Sequence, residues 1–206
     1  MLLVGLTGGY ATGKSFVASD LERRGCHLIY ADKLGHQVLL PGGEAYAQAI
    51  ATFGNEVLAN DGSIDRKKLG AIVFEHPEEL AKLTAIVHPA VFRLEEKLIA
   101  QYLEQDPSGI VVIEAAILIE SGRAGRFDRL ILTTCDEETQ IRRGMRRDGV
   151  TREQALARIA RQIPLEEKRP FAHFVIDTSG TKEDTVRQLD SVFEKLKMLA
   201  EAGGIA

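Results

Sequence analysis

No stretch of the chain approaches the roughly 20 consecutive apolar residues that a bilayer-spanning helix needs. Residues 1–7 lead straight into glycines instead of a cleavage site. The expectation is therefore a protein without membrane partners, in the cytoplasm. Cysteine is scarce: Cys26 and Cys135 lie far apart, with neither a CxxC nor a metal-ligand spacing. Both read as reduced, mostly buried small hydrophobes, which argues against a disulfide framework, a zinc site and a cysteine nucleophile. No internal repeat or low-complexity tract occurs, and 45% apolar with 27% charged residues is the balance of an ordinary folded domain. Excess positive charge is also missing, since the formal net charge of −4 gives no global attraction to nucleic acid. Against that background residues 140–170 carry nine Arg or Lys and only four Asp or Glu. A basic segment on an acidic chain needs a local anion to explain it.

What is present alternates between two periods. MLLVGLT (1–7) is a short apolar run stopped by Gly8-Gly9, as expected of a strand buried on both faces. A helix follows from Lys14, ended by Gly25 in the left-handed conformation, and CHLIY (26–30) then suggests a strand that finishes at Ala31-Asp32. From Leu34 to about Gln105 no strand is convincing, and Leu80, Leu83, Val87, Val91, Leu94 and Leu98 recur at helical spacing. GIVVIEA (109–115), RLILTT (129–134) and HFVID (173–177) are apolar, β-branched runs of parallel-strand type. Helices are predicted near 136–147 and 152–162, the second opened by a Thr151/Gln154 capping box and closed before Pro164. Gly149 between them reads as a C-cap or a hinge, the cap being the safer reading. A last helix starts near Thr181, boxed by Asp184, with Val186, Leu189, Phe193 and Leu196 on one face before Gly203-Gly204. The fold class predicted is α/β: a five-stranded parallel sheet covered by helices, with ligands outside the carboxyl ends of the strands.

One motif carries chemistry by itself. Gly8-Gly9-Tyr10-Ala11-Thr12-Gly13-Lys14-Ser15 matches GxxxxGK[ST], in which glycines let the backbone curl so that successive N–H groups face phosphate oxygens. Lys14 supplies a point charge to the outer phosphates, Ser15 a ligand for Mg²⁺, and the following helix its positive end. The motif stands between a buried strand and a helix, the setting this mechanism requires. Such a loop does not separate kinases from nucleotide switches. Asp32, at the end of the second predicted strand, is a candidate to take the proton of an incoming hydroxyl, or else a helix N-cap for the segment from Lys33. A GTPase-type NKxD guanine reader is not found, which disfavours a switch.

Along nearly its whole length the chain resembles the dephospho-coenzyme A kinases. The resemblance rests on LTGG followed by GKS (6–15), Ala31-Asp32, DG and DR with Leu69 (61–69), and Phe74 with Pro77-Glu78-Glu79. It continues through His88-Pro89, ILIES (117–121), QIRRGMRRD (140–148) and FVIDTSG (174–180) in order. It implies one P-loop kinase domain over 1–206: a core of 1–32, 106–139 and 171–206, a helical acceptor-binding insertion at 33–105, and a helical lid at 140–170. It further implies ATP with Mg²⁺ as donor and dephospho-coenzyme A as the small-molecule acceptor, phosphorylated on its ribose 3′-hydroxyl. The residues implied for ATP are Gly8, Ala11, Thr12, Gly13, Lys14, Ser15 and Phe16, the last through its main-chain amide, with Arg143 and Arg147 from the lid. Asp32 is implied as base, Ser15 for the metal, and Arg66, His88, Leu118 and Glu120 as acceptor contacts. Arg142 and Arg146 fall where the family varies and read as solvated. Two departures are visible: Tyr30 stands where the family often has Asp, and Glu114 where Asp is usual. No nucleic-acid partner is expected, and a monomer or weak homo-oligomer is.

Overall fold

The computed structural model describes residues 1–203, the side chains of Phe74 and Glu75 excepted. Gly204, paired with Gly203 in the expected stop of the last helix, lies outside the described residues, as does the Phe74 side chain. The elements run β1 (Leu2–Gly8), α1 (Lys14–Arg23), β2 (His27–Tyr30), α2 (Ala31–Gln37), α3 (Tyr46–Phe53), α4 (Arg66–Glu75) and α5 (Pro77–Gln105). They continue with β3 (Ile110–Glu114), β4 (Arg129–Thr134), α6 (Glu137–Asp148), α7 (Arg152–Ile159), α8 (Leu165–Lys168), β5 (Phe174–Asp177) and α9 (Lys182–Glu201). The chain forms two compact units, residues 1–29 with 101–206, and residues 30–100.

The five strands stand in the order β2-β3-β1-β4-β5. β1 pairs in parallel with β3, Leu2 opposite Ile110 through Leu6 opposite Glu114, and on its other side with β4, Val4 opposite Arg129 through Gly8 opposite Thr133. Such a central strand must be apolar on both faces, and Leu2, Val4 and Leu6 on one parity and Gly5 and Thr7 on the other are all buried. β1 therefore lies where the chain switches from one side of the sheet to the other, with its carboxyl end opening into the Gly8–Gly13 loop. That is the crevice in which open α/β sheets hold ligands.

The capping chemistry acts as read. Thr151 accepts from the Gln154 amide while Gln154 reaches back to the Thr151 N–H, and Thr181 and Asp184 do the same for α9. Gly149 sits at φ 65 beyond α6 with its N–H on Met145 O, which is C-cap geometry. α7 ends at Ile159, three residues before the expected 162, because the chain must already turn ahead of Pro164.

Two apolar stripes differ in detail from expectation. In α9 the buried positions are Thr185, Leu189, Val192, Leu196 and Ala200, while Val186 and Phe193 are half-buried. The Phe193 ring lies at the rim, with the Arg24 guanidinium 5.4 Å from its centroid. In α5 the buried set is Ile86, Ala90, Val91 and Glu95, and Leu80 is exposed. Of the six positions at helical spacing Val91 is buried, Leu83, Val87, Leu94 and Leu98 are half-buried and only Leu80 is exposed, so the helix stands as read while Ala90 and Glu95 add to its buried face without a hydrophobic signal. Residues 34–105 contain no strand, only an isolated antiparallel bridge between Leu58 and Ile64.

Candidate active site

The site in the sheet-bearing unit begins with backbone that only certain residues tolerate. A Cβ added to Gly8 would lie 2.7 Å from the Thr133 carbonyl oxygen and 2.6 Å from Thr12 Oγ1, so β4 closes directly on the start of the loop. Gly13 adopts φ 82, and Ala11, at φ 56, is the sole non-glycine residue with positive φ among those described. A left-handed alanine costs on the order of 1–3 kcal/mol and persists only where neighbours over-determine it. Here the buried Thr12 does so: its hydroxyl donates to Gly9 O (2.9 Å) and shares a bond with Thr133 Oγ1 (2.8 Å), while Thr178 Oγ1 donates to Thr12 O (3.0 Å). The loop is held from three directions. α1 then starts with no side-chain cap and no acid in its first turn, leaving its positive end to attract an anion.

Above this loop opens a cleft of about 660 Å³, lined by Ala11 through Ser15 and by Arg142, Arg143, Arg146 and Arg147 of α6. Lys14 and four guanidiniums face it, and no carboxylate is among the lining residues. Positions 142, 143, 146 and 147 lie on one helical face, so α6 offers the cleft a strip of charge. Arg143 is already fixed: it donates to Thr178 Oγ1 (2.8 Å) and Thr178 O (2.6 Å), and so continues the hydrogen-bonded chain through Thr178 to Thr12. Arg147 holds Asp148 with Nε at 2.7 Å and Nη2 at 3.1 Å. Lys14 Nζ folds across the loop onto Gly9 O (3.0 Å). Arg142 and Arg146, expected as solvated charges, line the same cleft. The i, i+4 spacing of Arg142 to Arg146, repeated by Arg143 and Arg147 one residue on, was the signal for this.

The remaining expected residues of this unit have defined places. The Phe16 amide donates to Gly13 O at 3.0 Å, inside the first turn of α1, and Lys182 Nζ lies 5.6 Å from its ring centroid. Leu118 is buried beside Gly5, where an added Cβ would be 3.1 Å from Leu118 Cδ1. Glu120 Oε1 lies 2.6 Å from Nζ of Lys168, whose side chain is 0% exposed. That contact is too poorly aligned for a directed hydrogen bond, so charge attraction is what joins the two groups. Glu114 ends β3 and is buried. Cys26 and Cys135 are buried free thiols. Burial pushes Cys26 up to about 12 and raises Cys135 as well.

Within residues 30–100, Asp32 is the second residue of α2 and exposed, one turn before His36. Burial and then the Arg66 guanidinium hold the His36 imidazole below its ordinary value, against the opposing pull of Asp32. Asp32, His36 and Arg66 thus share one electrostatic neighbourhood. His36 was missed by sequence reading, although i, i+4 from a candidate acid is a legible signal. Arg66 opens α4, whose N-cap Asp65 accepts from Lys67 N at 2.8 Å. His88 is half-buried in α5 with its ring 5.7 Å from Phe92, a packing arrangement. Lys33 Nζ lies 3.8 Å from the centroid of the Tyr30 ring, so this aromatic residue serves as a platform for a neighbouring cation.

A family model described as dephospho-CoA kinase matches residues 2–184. A dephospho-CoA kinase of Geobacter metallireducens is 43% identical over 195 residues, 95% of this chain and 96% of the relative. One of Shouchella clausii is 46% identical over 192 residues, 93% and 97% of the two chains. Among solved structures, dephospho-CoA kinase from Campylobacter jejuni aligns with a TM-score of 0.71 at 27% identity, over 95% of this chain and 97% of its own. A shikimate kinase from Bacteroides thetaiotaomicron, at 14% identity and a TM-score of 0.50, shares the fold alone. The chain belongs to the dephospho-CoA kinase family.

Proposed function

We propose that the chain transfers the γ-phosphoryl group of ATP to the ribose 3′-hydroxyl of dephospho-coenzyme A, giving coenzyme A and ADP. The observation that carries this reading is the cleft in which a strained, over-determined GxxxxGKS loop faces Lys14 and four arginines with no carboxylate among them. Phosphoryl transfer asks little covalent chemistry of a protein; it asks for positioning and for charge around the phosphoryl oxygens. The cleft supplies both. Loop amides and the α1 N-terminus hold the phosphate chain, Lys14 leaves Gly9 O for the outer phosphates, and the arginines spread charge along them. Phe16 contributes through the first turn of α1.

Mg²⁺ suits the residues present, because it is commonly held by one or two protein oxygens with the remaining positions filled by phosphates and water. Ser15, exposed in the first turn of α1 at the cleft, would hold it, and it would neutralise charge on the transferred group. In this reading Asp32 accepts the proton of the 3′-hydroxyl, with Arg66 and His36 setting the local field. His88, Leu118 and Glu120 contribute to the acceptor side chiefly by shaping it, since the first is packed on Phe92, the second is buried, and the third is engaged by Lys168. Residues 33–105 form the acceptor-binding insertion and 140–170 the lid of one kinase domain.

The test is the mass of the product formed from ATP and dephospho-coenzyme A, beside a panel of other hydroxyl and nucleoside monophosphate acceptors. A gain of one phosphoryl group on dephospho-coenzyme A, with stoichiometric ADP, is expected. ADP release no faster than with water, alongside turnover of another acceptor, overturns the named substrate while leaving the kinase reading intact.

A further inference from the structure

Tyr10 occupies a position at which the GxxxxGK[ST] pattern asks for nothing, yet it is the most heavily engaged residue of the loop. Its main chain is held by two amides: Gln140 Nε2 donates to Tyr10 O at 2.8 Å, and Tyr10 N donates to Gln162 Oε1 at 2.6 Å. Its hydroxyl donates to Asp148 Oδ2 at 2.6 Å and accepts from Arg158 at 3.3 Å. Its ring lies under two cations, the Arg147 guanidinium 5.1 Å and the Arg158 guanidinium 5.5 Å from the centroid. Its edge fits against α6 where Gly144 has no side chain; a Cβ there would come within 2.7 Å of Tyr10 Oη. A single loop residue therefore meets α6 and α7 with its side chain and the turn beyond with its main chain.

The consequence concerns Arg147. Its side chain is 59% exposed, and an arginine that free carries rotamer entropy that must be lost on binding an anion. Between the Tyr10 ring and Asp148, itself bonded to Tyr10, the guanidinium is already oriented. Its bidentate contact with Asp148 uses Nε and Nη2, two of the five N–H donors that a guanidinium carries. Asp148 also pairs with Arg158, so the trio keeps a net positive charge. The Arg147 and Tyr10 contacts hold the Asp148 carboxyl far below the usual carboxylate range.

We propose that Tyr10 is a positioning residue for the phosphoryl donor: it joins the phosphate loop to the arginine face of α6 and presents Arg147 to the cleft in a pre-oriented state. The inference rests on the reading of that cleft as the ATP phosphate site. The test uses the full chain with Tyr10→Phe, which keeps the ring, and Tyr10→Leu, which keeps bulk against Gly144 but loses ring and hydroxyl, each with and without Arg147→Ala. KM for both substrates, kcat, and the dissociation constant of a non-hydrolysable ATP analogue are measured on folded protein. Tyr10→Leu is expected to weaken analogue binding and raise KM for ATP about tenfold, with Tyr10→Phe two- to threefold, and KM for dephospho-coenzyme A unchanged within twofold. Arg147→Ala is expected to cost far less in the Tyr10→Leu background than in the wild type, because its orientation has already been lost. Additive losses, or equal losses for both substrates, overturn the proposal, as does an unchanged KM for ATP in Tyr10→Leu. If the wild type itself fails to bind the analogue, the ATP reading is what has failed.

Discussion

The pair formed by Glu120 and Lys168 allows a prediction whose size and sign both follow from where it sits. Lys168 is fully enclosed and Glu120 keeps 18% of its side chain exposed, with 2.6 Å between Nζ and Oε1. Glu120→Gln leaves an enclosed ammonium without a counter-charge. Breaking a buried pair from one side costs about 3–5 kcal/mol. Lys168→Met strands the carboxylate instead, and because Glu120 keeps part of its surface in water its loss should be the smaller of the two. The double variant removes both charges, and should lie within about 1.5 kcal/mol of the wild type.

Urea unfolding of all four proteins at pH 7, with midpoints compared at unchanged m-value, measures this. A double variant no better than the worse single would refute the argument that charge attraction rather than shape joins these residues. Acceptor KM on the same samples shows whether Glu120 also touches substrate.

Asp32→Asn should keep ATP affinity within about twofold and lose at least about a hundredfold in kcat, read by steady-state kinetics; unchanged turnover ends its assignment as base. Gly8→Ala drives a Cβ into the Thr133 carbonyl and Thr12 hydroxyl, so ATP-analogue binding measured by calorimetry should fall more than tenfold. Gly144→Ala should split stability from function: alanine within α6 gains up to about 1 kcal/mol of helix propensity, while the displaced Tyr10 ring raises KM for ATP. A rise in neither quantity contradicts that account. Cys26 and Cys135, buried and with raised titration, should resist a thiol reagent at pH 8 until urea unfolds the chain. Rapid labelling of the native protein would contradict their burial.

Much of this protein was legible from the order of its residues because the relevant signals are local. A run such as MLLVGLT stopped by two glycines, a Thr151/Gln154 box and a GxxxxGKS loop each state their geometry within a few residues, and β1, α7 and the phosphate loop stand where those signals put them. In α5 the helix was legible from its spacing, but the burial of Ala90 and Glu95 was not, because neither a small residue nor an acid announces a buried position. The same holds for the site. Lys14 and Ser15 were named by motif, whereas Arg142 and Arg146 join the cleft only because α6 turns that face toward the loop. The contacts Tyr10 makes span 130 to 152 residues of sequence to Gln140, Asp148, Arg158 and Gln162. Local pattern determines which backbone a segment adopts; which side chains then meet depends on strand order and helix rotation, which only the folded chain decides.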